Sequence, residues 1–151
     1  MAERVKRVIE LMEGDPSRNF KLGKMAESVN LSAPYFCYLF KTVTGVPPAK
    51  YLKSLRLQQA ATLLTTTFLS VKEVVRRVGL TDESHFVRDF KSTYGYSPAL
   101  YRSHFKNNDT GNGNGHNGKQ PSKVRQQLAE IAKHSILPSL HLFIYMFACL
   151  N

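Results

Sequence analysis

Gly79-Leu80-Thr81-Asp82-Glu83-Ser84-His85-Phe86-Val87-Arg88-Asp89-Phe90-Lys91-Ser92-Thr93-Tyr94-Gly95-Tyr96-Ser97-Pro98-Ala99-Leu100-Tyr101-Arg102 decides the fold, because its framework occurs twice. Phe36, Phe40, Lys41, Gly45, Pro48 and Tyr51 recur as Phe86, Phe90, Lys91, Gly95, Pro98 and Tyr101, each at an offset of 50. Just upstream, Leu22, Met25, Ala26, Val29 and Leu31 recur as Val71, Val74, Val75, Val78 and Leu80 at an offset of 49. One extra residue therefore falls near the start of the later helix in the second copy. A repeated supersecondary unit is a statement about the fold. Here the unit reads as a short helix, a tight turn and a second helix, the arrangement that presents a helix to a DNA major groove.

Helical periodicity extends outward from the repeat. Val5, Val8, Ile9 and Met12 share one face of a first helix, ended by Gly14-Asp15-Pro16. Leu22, Met25, Ala26 and Val29 form the inward stripe of the next. Ser32 is placed to cap the helix from Ala33 to about Val43, and Gly45 to end it in a left-handed conformation. Pro47-Pro48 opens a long helix to roughly Leu64, with Leu52, Leu55, Leu63 and Leu64 as core contacts. Ser70-Val71-Lys72-Glu73 has the form of a capping box and begins the first helix of the second copy. Asp82 to Tyr94 is the second presented helix, and Ser97-Pro98 starts a last one reaching Phe105. No alternating pattern is long enough for a strand. The expected fold is all-α: seven helices over residues 1–105, two helix-turn-helix units joined by a long linker helix. Phe36, Leu39, Phe40, Phe86, Phe90 and Tyr94 are its expected aromatic and aliphatic core.

At 100° per residue, Phe86, Phe90 and Tyr94 point inward, leaving Thr81, Ser84, His85, Arg88 and Ser92 on the opposite side. In the first copy Pro34, Tyr35, Tyr38, Lys41 and Thr42 face out. Arg88 is suited to a bidentate contact with guanine, and Ser84 and His85 can donate or accept. Tyr38 can touch a thymine methyl or donate to a phosphate. Lys41 and Lys91 lie further along and suit phosphates. The alternatives are ordinary: Arg88 pairs with Glu83 or Asp89 on its own helix, His85 is a solvated surface histidine, and Tyr38 packs into a crevice. Cys37 reads as a small residue at the helix edge.

Composition agrees. The 151 residues carry a net charge of +10, which favours an acidic partner. Residues 1–105 hold 16 basic against 9 acidic side chains, so most of the excess lies on the repeat. Two cysteines make no disulfide framework and suit a reducing, cytoplasmic compartment. The N-terminus lacks the apolar core of a signal peptide. No P-loop, nucleophile elbow or H-E-x-x-H motif is present, and the five histidines lack ligand spacing. No enzyme activity, metal or cofactor is expected.

The second copy carries Gly79-Leu80, Ser84-His85-Phe86, Arg88, Phe90-Lys91, Tyr94-Gly95, Ser97-Pro98 and Tyr101-Arg102. The first carries Leu31-Ser32, Tyr35-Phe36, Leu39-Phe40-Lys41, Thr44-Gly45, Pro48 and Tyr51-Leu52, followed by Arg56-Leu57 and Leu63-Leu64. With these motifs, residues 22–102 resemble the DNA-binding domain of AraC-type transcriptional regulators. The resemblance implies a sequence-specific regulator that inserts two helices into successive major-groove segments. It also implies double-stranded DNA as partner and RNA polymerase as a candidate second one. The DNA-binding residues would be Pro34, Tyr35, Tyr38, Lys41, Thr81, Ser84, His85, Arg88 and Lys91. Tyr38 stands where the family commonly has arginine, and Leu80 where it commonly has phenylalanine.

Members of that family usually carry a sensing or dimerisation domain ahead of this one. Only about 20 residues precede the first helix-turn-helix, so no small-molecule sensor domain is expected in this chain. A stand-alone activator, a truncated copy and a fragment of a longer product remain open, as does a protein-interaction module on the same fold. Residues 106–123 are rich in Asn and Gly and read as a flexible linker. Residues 124–151 read as an apolar helical or disordered tail. Its stretch from Ile136 to Leu150 falls short of the roughly 20 residues of a membrane span, so no anchor is expected. A flexible linker uncouples what it joins, so deleting residues 107–151 should leave duplex-DNA affinity within a few-fold, measured by titration. A large loss would move the domain boundary.

Overall fold

The computed structural model describes residues 2–106, which fall in one compact unit. The linker and tail expected after Lys106 lie outside the described residues. The described elements are seven α-helices: α1 Ala2–Gly14, α2 Leu22–Ser28, α3 Ala33–Thr44, α4 Pro48–Thr66, α5 Val71–Arg77, α6 Glu83–Tyr94 and α7 Pro98–Lys106.

Two copies of one turn join α2 to α3 and α5 to α6. In the first, Asn30 N–H donates to the Glu27 carbonyl and Leu31 N–H to that of Ala26. In the second, Gly79 N–H donates to Arg76 and Leu80 N–H to Val75. This is the paired 5→2 and 6→1 pattern that satisfies the last carbonyls of a helix through a left-handed residue. Asn30 (φ 53°) and Gly79 (φ 75°) are those residues. The extra residue of the second copy lies at the end of this turn. Ser32 occupies the N-cap of α3, whereas Thr81 and Asp82 precede α6, with Asp82 at the N-cap. Ser32 makes no side-chain cap bond, contrary to expectation; the Asp82 carboxylate accepts from the His85 amide. Gly45 (φ 78°) and Gly95 (φ 80°) end the presented helices in the left-handed conformation.

The two cores follow the repeat. Phe36 and Phe40 lie 5.6 Å apart between ring centres, and Phe86 and Phe90 5.4 Å. Tyr51 meets Phe40 edge-on, as Tyr101 meets Phe90. The α1 stripe Val5, Val8, Ile9 and Met12 closes the first core. In the second, Val74, Val75 and Val78 are buried, and Tyr94 adds a third ring against Phe90 and Tyr101. Its counterpart Thr44 is also buried, its hydroxyl donating to the Phe40 or the Val46 carbonyl. Three expectations are corrected. Leu63 is only partly buried on α4. Leu22 is 40% exposed, because it opens a helix of only seven residues whose inward contacts are Met25 and Ala26. Leu39 is only partly buried, at the edge of the core.

Helix α4 serves both cores. At 100° per residue, its buried Tyr51, Leu52 and Leu55 lie on one side, and Leu57, Ala60, Ala61 and Leu64 on the opposite side. Arg102 of α7 donates to the Leu64 carbonyl in the last turn of α4 and to that of Leu69. Arg56 of α4 donates from Nε to the Pro16 carbonyl and from Nη2 to that of Arg18, both at 2.9 Å.

Truncating a fully buried ring in so tight a cluster removes its contacts and leaves a cavity. Phe90→Ala should cost about 3–5 kcal/mol, read from denaturant unfolding of the full chain, and should abolish DNA binding by loosening the second unit.

Candidate nucleic-acid interface

Pro34, Tyr35, Tyr38 and Lys41 are all exposed on α3. Ser84, His85, Arg88 and Lys91 are exposed on α6, and Thr81 in the turn before it. Each helix thus buries its Phe pair and shows solvent the side chains expected to contact DNA. Tyr38 is 65% exposed and stacks near-parallel to Tyr35 with ring centres 6.3 Å apart, so it does not fill a crevice. The first copy presents an aromatic pair beside one lysine.

The second copy presents hydrogen-bonding groups. Residues three and four positions from Arg88 are Ser84, His85, Lys91 and Ser92, none of them acidic. Glu83 and Asp89 sit at spacings that do not face Arg88 on a helix. Asp89 instead pairs with Lys53 of α4 at 2.6 Å. The expected alternative of an intrahelical ion pair is therefore corrected. Among the described residues no ion pair engages Arg88.

His85 is exposed but tethered. Its Nδ1 lies 2.6 Å from the Asp82 carboxylate, which also accepts from the His85 amide at 2.8 Å. With Nδ1–H directed at Asp82, Nε2 is left as acceptor in the neutral ring or donor in the charged one. The Asp82 carboxyl is held below the ordinary carboxylate range, first by the His85 backbone N–H and then by its ring. The signal for this arrangement was in the sequence, since Asp is a favoured N-cap; reading Asp82 as the first helical residue obscured it. Arg76 and Arg77, exposed in the last turn of α5, were not among the expected contacts. In a helix-turn-helix the first helix crosses the phosphate backbone, which is where such residues would serve.

A pocket of about 170 Å³ lies between α4 and α6, lined by Lys53, Leu57, Leu80, His85, Phe86 and Asp89 among others. It is smaller than the roughly 300–1,000 Å³ of small-molecule sites.

A family model described as a helix-turn-helix domain matches residues 25–104, more than half of the chain. The chain belongs to the AraC-type helix-turn-helix family. The HTH-type transcriptional regulator MtrA of Neisseria gonorrhoeae is 34% identical over 100 residues, covering 66% of this chain and 33% of that protein. The arabinose operon regulatory protein of Escherichia coli K12 is 34% identical over 85 residues, covering 56% and 29%. The DNA-binding domain of AdpA, solved in complex with a target DNA, superposes with a TM-score of 0.68 at 27% identity. That match covers 72% of this chain and 98% of the AdpA domain. This AraC-type chain spans about a third of the length of the curated relatives it matches. Among its described residues no helix is long and apolar enough to cross a membrane.

A depressed carboxyl pKa gives the Asp82 cap a defined pH window. Its stabilisation is complete above the unfolded value of about 3.9 and is lost as pH falls through the lower folded value. The melting-temperature difference between wild type and Asp82→Ala, followed by circular dichroism, should be constant at neutral pH and shrink below about pH 4. A difference that persists undiminished at pH 2 would remove the cap from the account.

Proposed function

We propose that this chain regulates transcription by binding double-stranded DNA with α3 and α6 in successive major-groove segments, the second unit reading most of the sequence. The observation that carries the reading is Arg88: an exposed arginine on a presented helix, with no acidic neighbour at pairing distance along that helix. Arginine is the side chain best suited to the two acceptors of guanine. Ser84 and the Nε2 edge of His85 lie on the same exposed face. Lys41 and Lys91 act on phosphates, as do Arg76 and Arg77. The stacked Tyr35 and Tyr38 offer hydroxyls and apolar surface, which suits positioning and the reading of methyls or groove shape.

The excess positive charge supports phosphate contact, and membership of a family of transcriptional regulators supports regulation. The role is binding rather than catalysis, exercised in the cytoplasm, with RNA polymerase the candidate protein partner at a promoter. A protein-interaction module on the same fold is separated by salt. Affinity for a phosphate partner falls steeply and linearly with salt on a log–log plot.

The test is a binding-site selection from random duplexes followed by titration. Arg88→Ala should lose about 1–3 kcal/mol at one base-pair position and leave the fold intact by circular dichroism. Lys91→Ala should weaken all sequences alike and reduce the salt slope by about one. An unchanged base preference in Arg88→Ala would overturn the role of that residue, and absence of duplex binding at low salt would overturn the function.

A further inference from the structure

Gly79 does more than turn the chain. Asn30 holds the equivalent place in the first turn with a similar positive φ, so the left-handed backbone alone does not demand glycine there. What differs is the neighbour. A Cβ on Gly79 would stand 2.2 Å from the Ser17 carbonyl oxygen, 2.9 Å from its carbon and 3.0 Å from its Cα. These are backbone atoms, which cannot swing aside as the end of a side chain can. The turn of the second helix-turn-helix is therefore seated directly on the loop that follows α1 of the first.

That loop is held on both sides of the contact. The Asp15 carboxylate accepts from the Ser17 amide and hydroxyl. The Arg56 guanidinium takes the carbonyls of Pro16 and Arg18, the residues flanking Ser17. Arg56 comes from α4, and three residues earlier Lys53 of the same helix pairs with Asp89 of α6. One turn of the linker helix thus grips the first unit's loop and the second unit's presented helix, and Gly79 closes the circuit.

We infer that the Gly79–Ser17 seat, locked by Arg56, sets the separation and rotational phase of α6 relative to α3, and so the spacing between the two DNA segments the domain accepts. This rests on the DNA-binding reading above. One inserted base pair rotates the second segment by about 35° relative to the first. A rigid pair of units cannot follow that rotation, whereas a loosened pair can.

Gly79→Asn is the discriminating variant, because asparagine tolerates the left-handed backbone but brings the Cβ that Ser17 excludes. Asn30→Gly is its control. Residual dipolar couplings of the full chain, without DNA, should fit one alignment tensor for both units in wild type and Asn30→Gly, and two in Gly79→Asn. On a selected site with spacers changed by one base pair, wild type should lose about tenfold or more in affinity. The preference of Gly79→Asn should narrow to within about twofold, with low-salt affinity for random duplex unchanged. A single tensor or an unaltered spacer profile in Gly79→Asn overturns the inference. If wild type binds no duplex, the DNA reading fails and with it the spacing role, while the tensors still decide the clamp. Should Gly79→Asn not fold by circular dichroism, Arg56→Lys, which removes the two-carbonyl fork, is judged by the same outcomes.

Discussion

Helix α4 has to bury two opposite faces, and the rest of the molecule depends on that. A surface helix of a small domain ordinarily carries one apolar stripe. Here Tyr51, Leu52 and Leu55 are buried on one side and Leu57, Ala60, Ala61 and Leu64 on the other. The two cores are consequently built on one shared element, 19 residues long, beside which the Gly79–Ser17 contact joins the units a second time. Inserting one residue between Leu55 and Leu57 would rotate one core against the other by about 100°. Lys53, on the side of Leu57, reaches Asp89 of the second unit, and Arg56, between the two faces, reaches the loop of the first.

The two units share their interior and differ at their surface. Both keep a Phe pair with an edge-on Tyr, and both end the presented helix at a left-handed glycine. Such packing fixes positions four residues apart and leaves those between free to vary. The free positions have diverged in chemistry: Pro34, Tyr35 and Tyr38 stand where the second copy has Ser84, His85 and Arg88. Even inside, Thr44 satisfies its hydroxyl against backbone carbonyls, whereas Tyr94 fills the corresponding space with a third ring.

Whatever is periodic or local was legible in the sequence. The repeat located both Phe pairs, the glycines located the helix ends, and Ser70 with Glu73 forms the reciprocal capping box its spacing announced. The all-helical fold and the family followed from those residues. Errors arose where a local rule met a tertiary decision. Leu22 fits the stripe by spacing yet opens a short helix whose burial begins at Met25. Ser32 has the right residue type and position for a cap, but its hydroxyl makes no cap bond. Contacts such as Lys53 with Asp89, or Gly79 with Ser17, join residues dozens apart. Helical periodicity constrains the angle of a side chain about its own axis; it carries no information about which distant backbone that side chain will meet.

The same reasoning explains why the presented face of α6 is available to a partner. A long cationic side chain on a helix commonly finds an acid one turn away, and such pairs are worth only a few tenths of a kcal/mol. Around Arg88 the neighbours one turn away are serines, a histidine and a lysine, so this competition is absent. The two acids closest to the exposed face are committed elsewhere: Asp82 to the helix cap and the His85 ring, and Asp89 to Lys53. Each commitment has a structural effect of its own, one starting α6 and the other tying it to α4. Of the two, only Asp89 is neutralised by a full cation, Lys53; Asp82 remains an anion at the start of the helix. Arg88 is left without an acidic partner by the residue types one turn away, while the cap at Asp82 and the Asp89–Lys53 pair position the helix that carries it.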